Sequence, residues 1–366
     1  MALAAHVRQY LPPKRIQQME ADLADLARVW DDTRFAGPWG WSLATKQRYK
    51  QMGVPVEVLP SDEWLAGVRH LSSREFACRY VQEMLSELKD PMLLGGEMQW
   101  YDRRVLSRGA YSTSEPTSST SIDRPRRHRS TDVDDIDWTV LEASHAMIFK
   151  SPWSSSGRGV FVDRMADGKC QTSTLKRLQG FLSSQGGFVV DRFYEDKVLD
   201  FAMEFFVHED HTVEFLGWSV FHTGENGAYG YNYVEGQEDL LERIVGEDGM
   251  NGANGMNGAN GKDGELLARL VDYHKEHLSS LTSQVGTENA QRVGWYFGPV
   301  GIDMLKTADG YIHPCLEMNF RMNMGILALL LHEKYGSGAT VSLTPACASG
   351  YRAMIDKGQL MIAYEK

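Results

Sequence analysis

Residues 301–321 read Gly301-Ile302-Asp303-Met304-Leu305-Lys306-Thr307-Ala308-Asp309-Gly310-Tyr311-Ile312-His313-Pro314-Cys315-Leu316-Glu317-Met318-Asn319-Phe320-Arg321. Two apolar-rich runs, 300–305 and 311–319, flank Thr307-Ala308-Asp309-Gly310, whose Asp-Gly pair supplies hairpin-turn chemistry. Glu317 and Asn319 are two apart on one strand, so their side chains share a face. Folding the hairpin brings Asp303 directly opposite, or one diagonal step away. Three oxygen donors then converge, and like charges so close call for a cation. Oxygen-only ligands favour Mg²⁺ over zinc or copper. Arg321, further along the same edge, suits bidentate contact with a phosphate. A solvated polar face is the alternative, but Leu316, Met318 and Ile302 on the other face argue for a packed hairpin.

Upstream the pattern stays strand-rich. Residues 146–149, 187–194, 201–207 and 212–221 read as strands, and 267–281 as a helix. The first of these strands delivers Lys150 into Ser151-Pro152-Trp153-Ser154-Ser155-Ser156-Gly157-Arg158-Gly159, which leads to a second strand at Val160-Phe161-Val162. Such a strand–loop–strand can fold over a polyphosphate. Its N–H groups and hydroxyls point inward, glycine lets the backbone approach, and lysine neutralises charge. No GxxxxGK[ST] run occurs, so this is not a Walker A loop; a plain Ser/Gly hairpin is the alternative. Val190-Asp191-Arg192-Phe193-Tyr194, followed by a strand carrying Glu204, offers backbone groups for a base and a carboxylate for ribose hydroxyls.

The order of these pieces resembles the ATP-grasp superfamily over about residues 97–335: a lysine and glycine loop, then an acidic hinge, then acid and Glu-x-Asn strands. The resemblance implies an α+β fold of two subdomains clasping ATP, preceded by an N-terminal α/β domain. It implies that Lys150 and the loop from Ser154 to Gly159 cover the phosphates. By the same resemblance Asp191, Arg192, Phe193 and Tyr194 hold the adenine, with Glu204 as the acid of the next strand. Asp303, Glu317 and Asn319 would form the Mg²⁺ triad, with Arg321 as the basic residue after it. The family's first nucleotide lysine has no counterpart in 97–149, where Arg103 or Arg104 is the available cation.

The activity implied is ATP-dependent phosphorylation of a carboxylate, with an amine displacing the acyl phosphate and ADP released. A kinase that stops at the phosphorylated product, and a nucleotide sensor without turnover, are the alternatives. A glycine-rich polar stretch at 221–232, including His222, is a candidate substrate loop.

Composition agrees with a globular protein: 366 residues, 42% hydrophobic and 10% aromatic. The net charge, 38 − 49 = −11, argues against nucleic acid as a partner and leaves local groups to hold any anion. No apolar run approaches the roughly 20 residues that span a bilayer. Arg8, Lys14 and Arg15 are followed by no apolar stretch of the kind a secretory leader needs, and a cytoplasmic location is expected. A homodimer is compatible with the sequence. Cys78, Cys170, Cys315 and Cys347 have no CxxC or zinc spacing and read as isolated thiols.

Four domains are expected. Residues 1–95 read as helix-rich, with helices at 14–29, from about Ala44, from Ser61-Asp62-Glu63, and after a Ser72 or Ser73 cap. The proline-bounded stretch 54–60 is a poor central strand. Residues 96–190 and 191–336 follow as the two clasping subdomains, and 337–366 as a C-terminal tail. The Ser/Thr/Arg-rich stretch 112–132 and the repeat Gly-Met-Asn-Gly-Ala-Asn, at 249–254 and 255–260 within an insertion at 246–264, are too polar or glycine-rich to pack.

Overall fold

A computed structural model describes residues 33–35, 37–102, 106, 145–154, 159–224, 227–246, 262–283, 296–344, 351–357 and 360–365. The helix expected at 14–29, the stretch 112–132, Arg103, Arg104, Ser155, Ser156, Gly157, Arg158 and most of the insertion lie outside these. The chain divides into two compact units, one from Gly95–Glu195 and one from the described parts of Met1–Leu94 and Asp196–Lys366. No described helix is long and apolar enough to cross a membrane.

The smaller unit is a four-stranded antiparallel sheet. Its strands are β1 (Gln99–Asp102), β2 (Met147–Lys150), β3 (Val160–Asp163) and β4 (Gly187–Arg192), in the order β1-β4-β2-β3. Phe149, Phe188 and Val190 fill one face, against Leu178 and Leu182 of the helix Thr172–Gln185. That helix ends on Gly186, whose φ of +87° closes a left-handed C-terminal turn.

The larger unit carries an eight-stranded sheet built from β5 (Lys197–Val207), β6 (Val213–Thr223), β7 (Tyr229–Val234), β8 (Gly298–Thr307), β9 (Ile312–Asn319), β10 (Ala339–Thr344), β11 (Tyr351–Lys357) and β12 (Leu360–Glu365). The order is β11-β12-β10-β7-β6-β5-β8-β9, every pair antiparallel. Residues 200–207 of β5 are all buried, as a central strand covered on both faces must be. The helix Met324–Tyr335 is apolar almost all round and packs on β6 and β7, burying Ile326, Leu327 and Leu331 with Val234 and Val341.

Residues 339–365 thus supply three strands of this sheet instead of a tail. The alternation Thr340-Val341-Ser342-Leu343 is the reason: Val341 is fully buried in the core.

The described part of the amino-terminal region is helical, not α/β. Its helices are Leu43–Gln51, Asp62–Leu71 and Arg74–Leu88, started by Ser42, Ser61 and Ser73, each accepting a backbone N–H three residues on. Residues 56–58 form a short 3₁₀ turn. The region shares a unit with the large sheet, and Arg74–Leu88 packs along β9. Backbone bonds from Leu94 N to Ile312 O at 2.8 Å and from Ile312 N to Met92 O at 3.0 Å tie it to that strand.

Candidate functional site

The hairpin forms as the sequence predicts. Strands β8 and β9 pair with Asp303 directly opposite Glu317 and Gly301 opposite Asn319. Gly310 in the turn has a φ of +86°. Directly opposed residues project from one face, so Asp303, Glu317 and Asn319 come together. Across the next pairing, β5 places Glu204 opposite Gly301 and Ala202 opposite Asp303. Three neighbouring strands therefore each contribute a carboxylate to the same face of the sheet.

Asp303 and Glu317 are half-buried and Asn319 is buried. The Asn319 amide donates from Nδ2 to Asp303 Oδ2 at 3.2 Å, and its Oδ1 accepts from Arg321 Nη2 at 2.7 Å. Arg321 is exposed and also donates to the Met322 carbonyl at 2.9 Å. Burial pushes the Asp303 carboxyl well above the usual range, and repulsion from Glu317 and Glu204 adds to it. These carboxylates hold more negative charge than the groups around them neutralise.

Glu204 is 1% exposed, enclosed beneath this face. Ser219 Oγ donates to its Oε1 at 2.8 Å and Asn323 Nδ2 to its Oε2 at 2.7 Å. Burial still outweighs these bonds and pushes its pKa up to about 7. Two glycines leave room for the carboxylate. A Cβ at Gly325 would stand 2.0 Å from Glu204 Oε1, and one at Gly301 2.6 Å from Oε2. Glu204, expected as the acid of the strand after the hinge, has Ser219, Asn323 and Asp303 as its surroundings.

Among the described residues no three His, Cys, Asp or Glu side chains are arranged to hold a metal, so a closed cage of such ligands is excluded there. Mg²⁺ commonly takes one or two carboxylates and fills its remaining positions with water and phosphate oxygens. Asp303 and Glu317 are a donor set of that kind, with the Asn319 amide beside them, its nitrogen towards Asp303 and its oxygen towards Arg321. A net negative pair without full compensation fits a hard divalent cation.

The smaller unit holds the second group. On β2 and β4, Lys150 is opposite Val189 and Ile148 opposite Asp191, so Lys150 and Asp191 share a face. That face is opposite the apolar one made by Phe149 and Val190. Lys150 is 6% exposed and Asp191 0%, and their charges pair at 3.7 Å. The loop after Lys150 is tied at its root. Ser151 N donates to the Gly159 carbonyl at 2.8 Å, and Trp153 N to Gln185 Oε1 at 3.1 Å. A Cβ at Gly159 would lie 2.0 Å from Ser151 Oγ, so only glycine closes this root. Ser154 is half-buried.

After β4, Arg192 N donates to Asp191 Oδ1 at 2.8 Å and Phe193 N to the Ala146 carbonyl at 2.9 Å. Arg192 is exposed and pairs with Glu97 at 3.8 Å; Phe193 and Tyr194 are half-buried. Burial and the nearby Asp191 push the Tyr194 phenol above its ordinary range.

Two partners of the acidic hairpin were not legible as site residues. Arg74, 7% exposed at the first position of the helix Arg74–Leu88, is ion-paired with Glu317 across 243 residues of sequence. Asn323 caps the helix Met324–Tyr335 with Oδ1, accepting Ile326 N at 2.8 Å, while its Nδ2 holds Glu204. The one signal for Arg74 was a basic residue at a helix N-terminus, where the helix dipole disfavours it.

No protein-family profile and no curated protein matches the sequence. Solved structures do. The chain is similar to Rhizobium etli pyruvate carboxylase, with 10% identity and a TM-score of 0.47 over 98% of this chain and 30% of that one. It is similar to D-alanyl-alanine synthetase A from Vibrio cholerae, with 9% identity and a TM-score of 0.35 over 69% and 56%. A third is an ATP-grasp superfamily protein from Archaeoglobus fulgidus, with 12% identity and a TM-score of 0.33 over 62% and 56%. The chain spans about half the length of the first structures it matches, between 52% and 56%. At such identities, with TM-scores below 0.5, the likeness leaves the activity to the chain's own residues.

Proposed function

We propose that this chain is an ATP-grasp enzyme that uses Mg²⁺ and ATP to activate a carboxylate and couple it to an amine, releasing ADP and phosphate. The observation that supports this most is the acidic face: Asp303 and Glu317 in direct register, with Asn319 and Arg321 bonded in series beside them.

In this reading Asp303, Glu317 and Asn319 hold the cation. Bound there, Mg²⁺ neutralises phosphate oxygens and aligns the terminal phosphoryl group for transfer. Arg321 is exposed on the same edge, its fork held by Asn319 and the Met322 carbonyl, and presents a fixed positive charge to an oxygen that gains negative charge. Lys150 supplies a second positive charge for the phosphates, oriented by Asp191. The loop rooted at Ser151 and Gly159 covers them, with Ser154 on its near side, and excludes water from the activated carboxylate. Asp191 to Tyr194 serve the base. Glu204, closed in by Ser219, Asn323 and two glycines, sets the position of the strand that carries Asp303 instead of meeting a ligand.

The test is ADP release by the full chain with Mg²⁺ and ATP, screened against pools of amino acids and small peptides, with hydroxylamine added in parallel. Hydroxamate formation that needs ATP and a carboxylate supports acyl-phosphate chemistry. ADP release with a stable phosphorylated product and no hydroxamate would make the enzyme a kinase. Nucleotide binding without any turnover would make it a sensor.

A further inference from the structure

Every charged group on the acidic face has been given a role except Arg74. Its position is costly. It opens a helix, where the exposed N–H groups already make a positive end that an arginine opposes. It is also 7% exposed, so its guanidinium is largely stripped of water. Neighbouring positions could have carried the helix start alone, since Ser73 caps it and Glu75 provides the favoured acid. A basic residue retained against both local preferences marks a tertiary duty.

That duty is visible in its contact. Arg74 Nη2 meets Glu317 Oε2, the carboxylate that stands opposite Asp303. A cation ligand with one oxygen already engaged by a guanidinium cannot give that oxygen to a metal without parting from the arginine. We infer that Arg74 is the resident counter-cation of the acidic hairpin: it holds Glu317 through Oε2 when no metal is bound, and a divalent cation that takes that oxygen must displace it. Arg74 is thus a positioning residue that acts through Glu317. This rests on the reading of Asp303, Glu317 and Asn319 as the metal site.

The consequences run in opposite directions for two measurements. Without Arg74 the carboxylates keep Arg321 alone and repel one another more, so the metal-free protein is less stable. The same change removes the competitor, so the cation binds more tightly. A residue that only packs the helix would lower stability without tightening metal binding.

The experiment is titration of full-length wild type, R74Q, R74K and E317Q with Mn²⁺ alone, followed by electron paramagnetic resonance, together with thermal melts in chelator and in saturating Mn²⁺. The expected result is Mn²⁺ binding roughly tenfold tighter in R74Q, the scale of one partly desolvated ion pair. Its melting temperature should fall in chelator and rise more on Mn²⁺ addition than that of wild type. R74K keeps the charge but loses the fork, and shifts affinity the same way by less; it carries the test if R74Q does not fold. Mn²⁺ binding in wild type that is lost in E317Q but not tightened in R74Q or R74K overturns the inference and leaves the metal site standing. Failure of all four proteins to bind Mn²⁺ overturns both.

Discussion

The two buried charge clusters differ in their balance. In the smaller unit one ammonium meets one carboxylate, Lys150 and Asp191, on a sheet face whose other side is apolar core. In the larger unit Asp303, Glu317 and Glu204 share a face, with Arg321 at the edge and Arg74 on Glu317. The first is an internally neutral pair, and a neutral pair mostly holds shape. The second gathers three carboxyls about two guanidiniums; burial raises the pKa of Glu204 and of Asp303, and at Asp303 repulsion from Glu317 and Glu204 adds to it. An uncompensated cluster is the better pointer to a missing ligand, since fold stability alone gives no reason to keep it.

The sharpest way to break this contrast is to substitute the two sides in turn. Glu317→Ala should cut ADP release by about 10³-fold or more, the scale of losing metal-centred charge stabilisation. Nucleotide binding, followed by fluorescence of an ATP analogue, should largely survive. Full activity in that variant would sink the metal assignment.

Lys150→Met should act the other way round, on folding and binding before chemistry. It takes the ammonium from the buried Asp191 carboxylate and should cost about 3–5 kcal/mol in urea denaturation, as loss of one partner of a buried pair does. Lys150→Met combined with Asp191→Asn should recover most of that stability but not ATP affinity. Recovery of both would make the pair purely structural.

A smaller effect follows from pH. Glu204 has its pKa pushed up to about 7 in the folded protein, above the ordinary carboxyl range. The folded state therefore binds the proton more tightly than the unfolded one. Stability from this group is present at acidic pH and is lost as pH rises towards 7, by up to about 3 kcal/mol. Asp303, also raised, has the same sign. Denaturation between pH 5 and 8 should show that slope in wild type and a shallower one in Glu204→Gln. Equal slopes would mean that Glu204 is not the source.

Gly325→Ala places a methyl 2.0 Å from Glu204 Oε1 and should cost about 1–3 kcal/mol through overpacking, read as a lower melting temperature. The smallest effect belongs to Arg192→Ala. Its pairing with Glu97 at 3.8 Å is exposed, so stability should change by no more than about 0.5 kcal/mol.

Legibility in the sequence followed the range of the interactions. The hairpin was readable because Asp-Gly at 309–310 and the spacing of 317 and 319 are local, and strand pairing converts spacing into a shared face. Ser61, and either Ser72 or Ser73, were readable as helix starts for the same reason, and the second cap is Ser73. Arg74 was not, because its partner is 243 residues away and no periodicity links a helix start to a distant strand. Glu204 was read from its order along the chain as the acid of the strand after the hinge, a carboxylate for ribose hydroxyls. Its neighbours Ser219 and Asn323 come from a neighbouring strand and a helix start, so only the tertiary fold reveals them. The three strands at 339–365 were taken for a tail because a strand's identity depends on what lies beside it. Val341 makes sense between Asn232 of β7 and Tyr364 of β12, against the helix Met324–Tyr335.

Asn323 joins two things that are usually separate. One end of its amide starts the helix Met324–Tyr335, and the other grips the carboxylate of β5. Positions 204, 219, 301, 323 and 325 are consequently coupled through one carboxylate. A chimera that imports that helix from a related chain must bring the matching residues of three strands with it, or the graft will neither seat nor leave the acidic face intact.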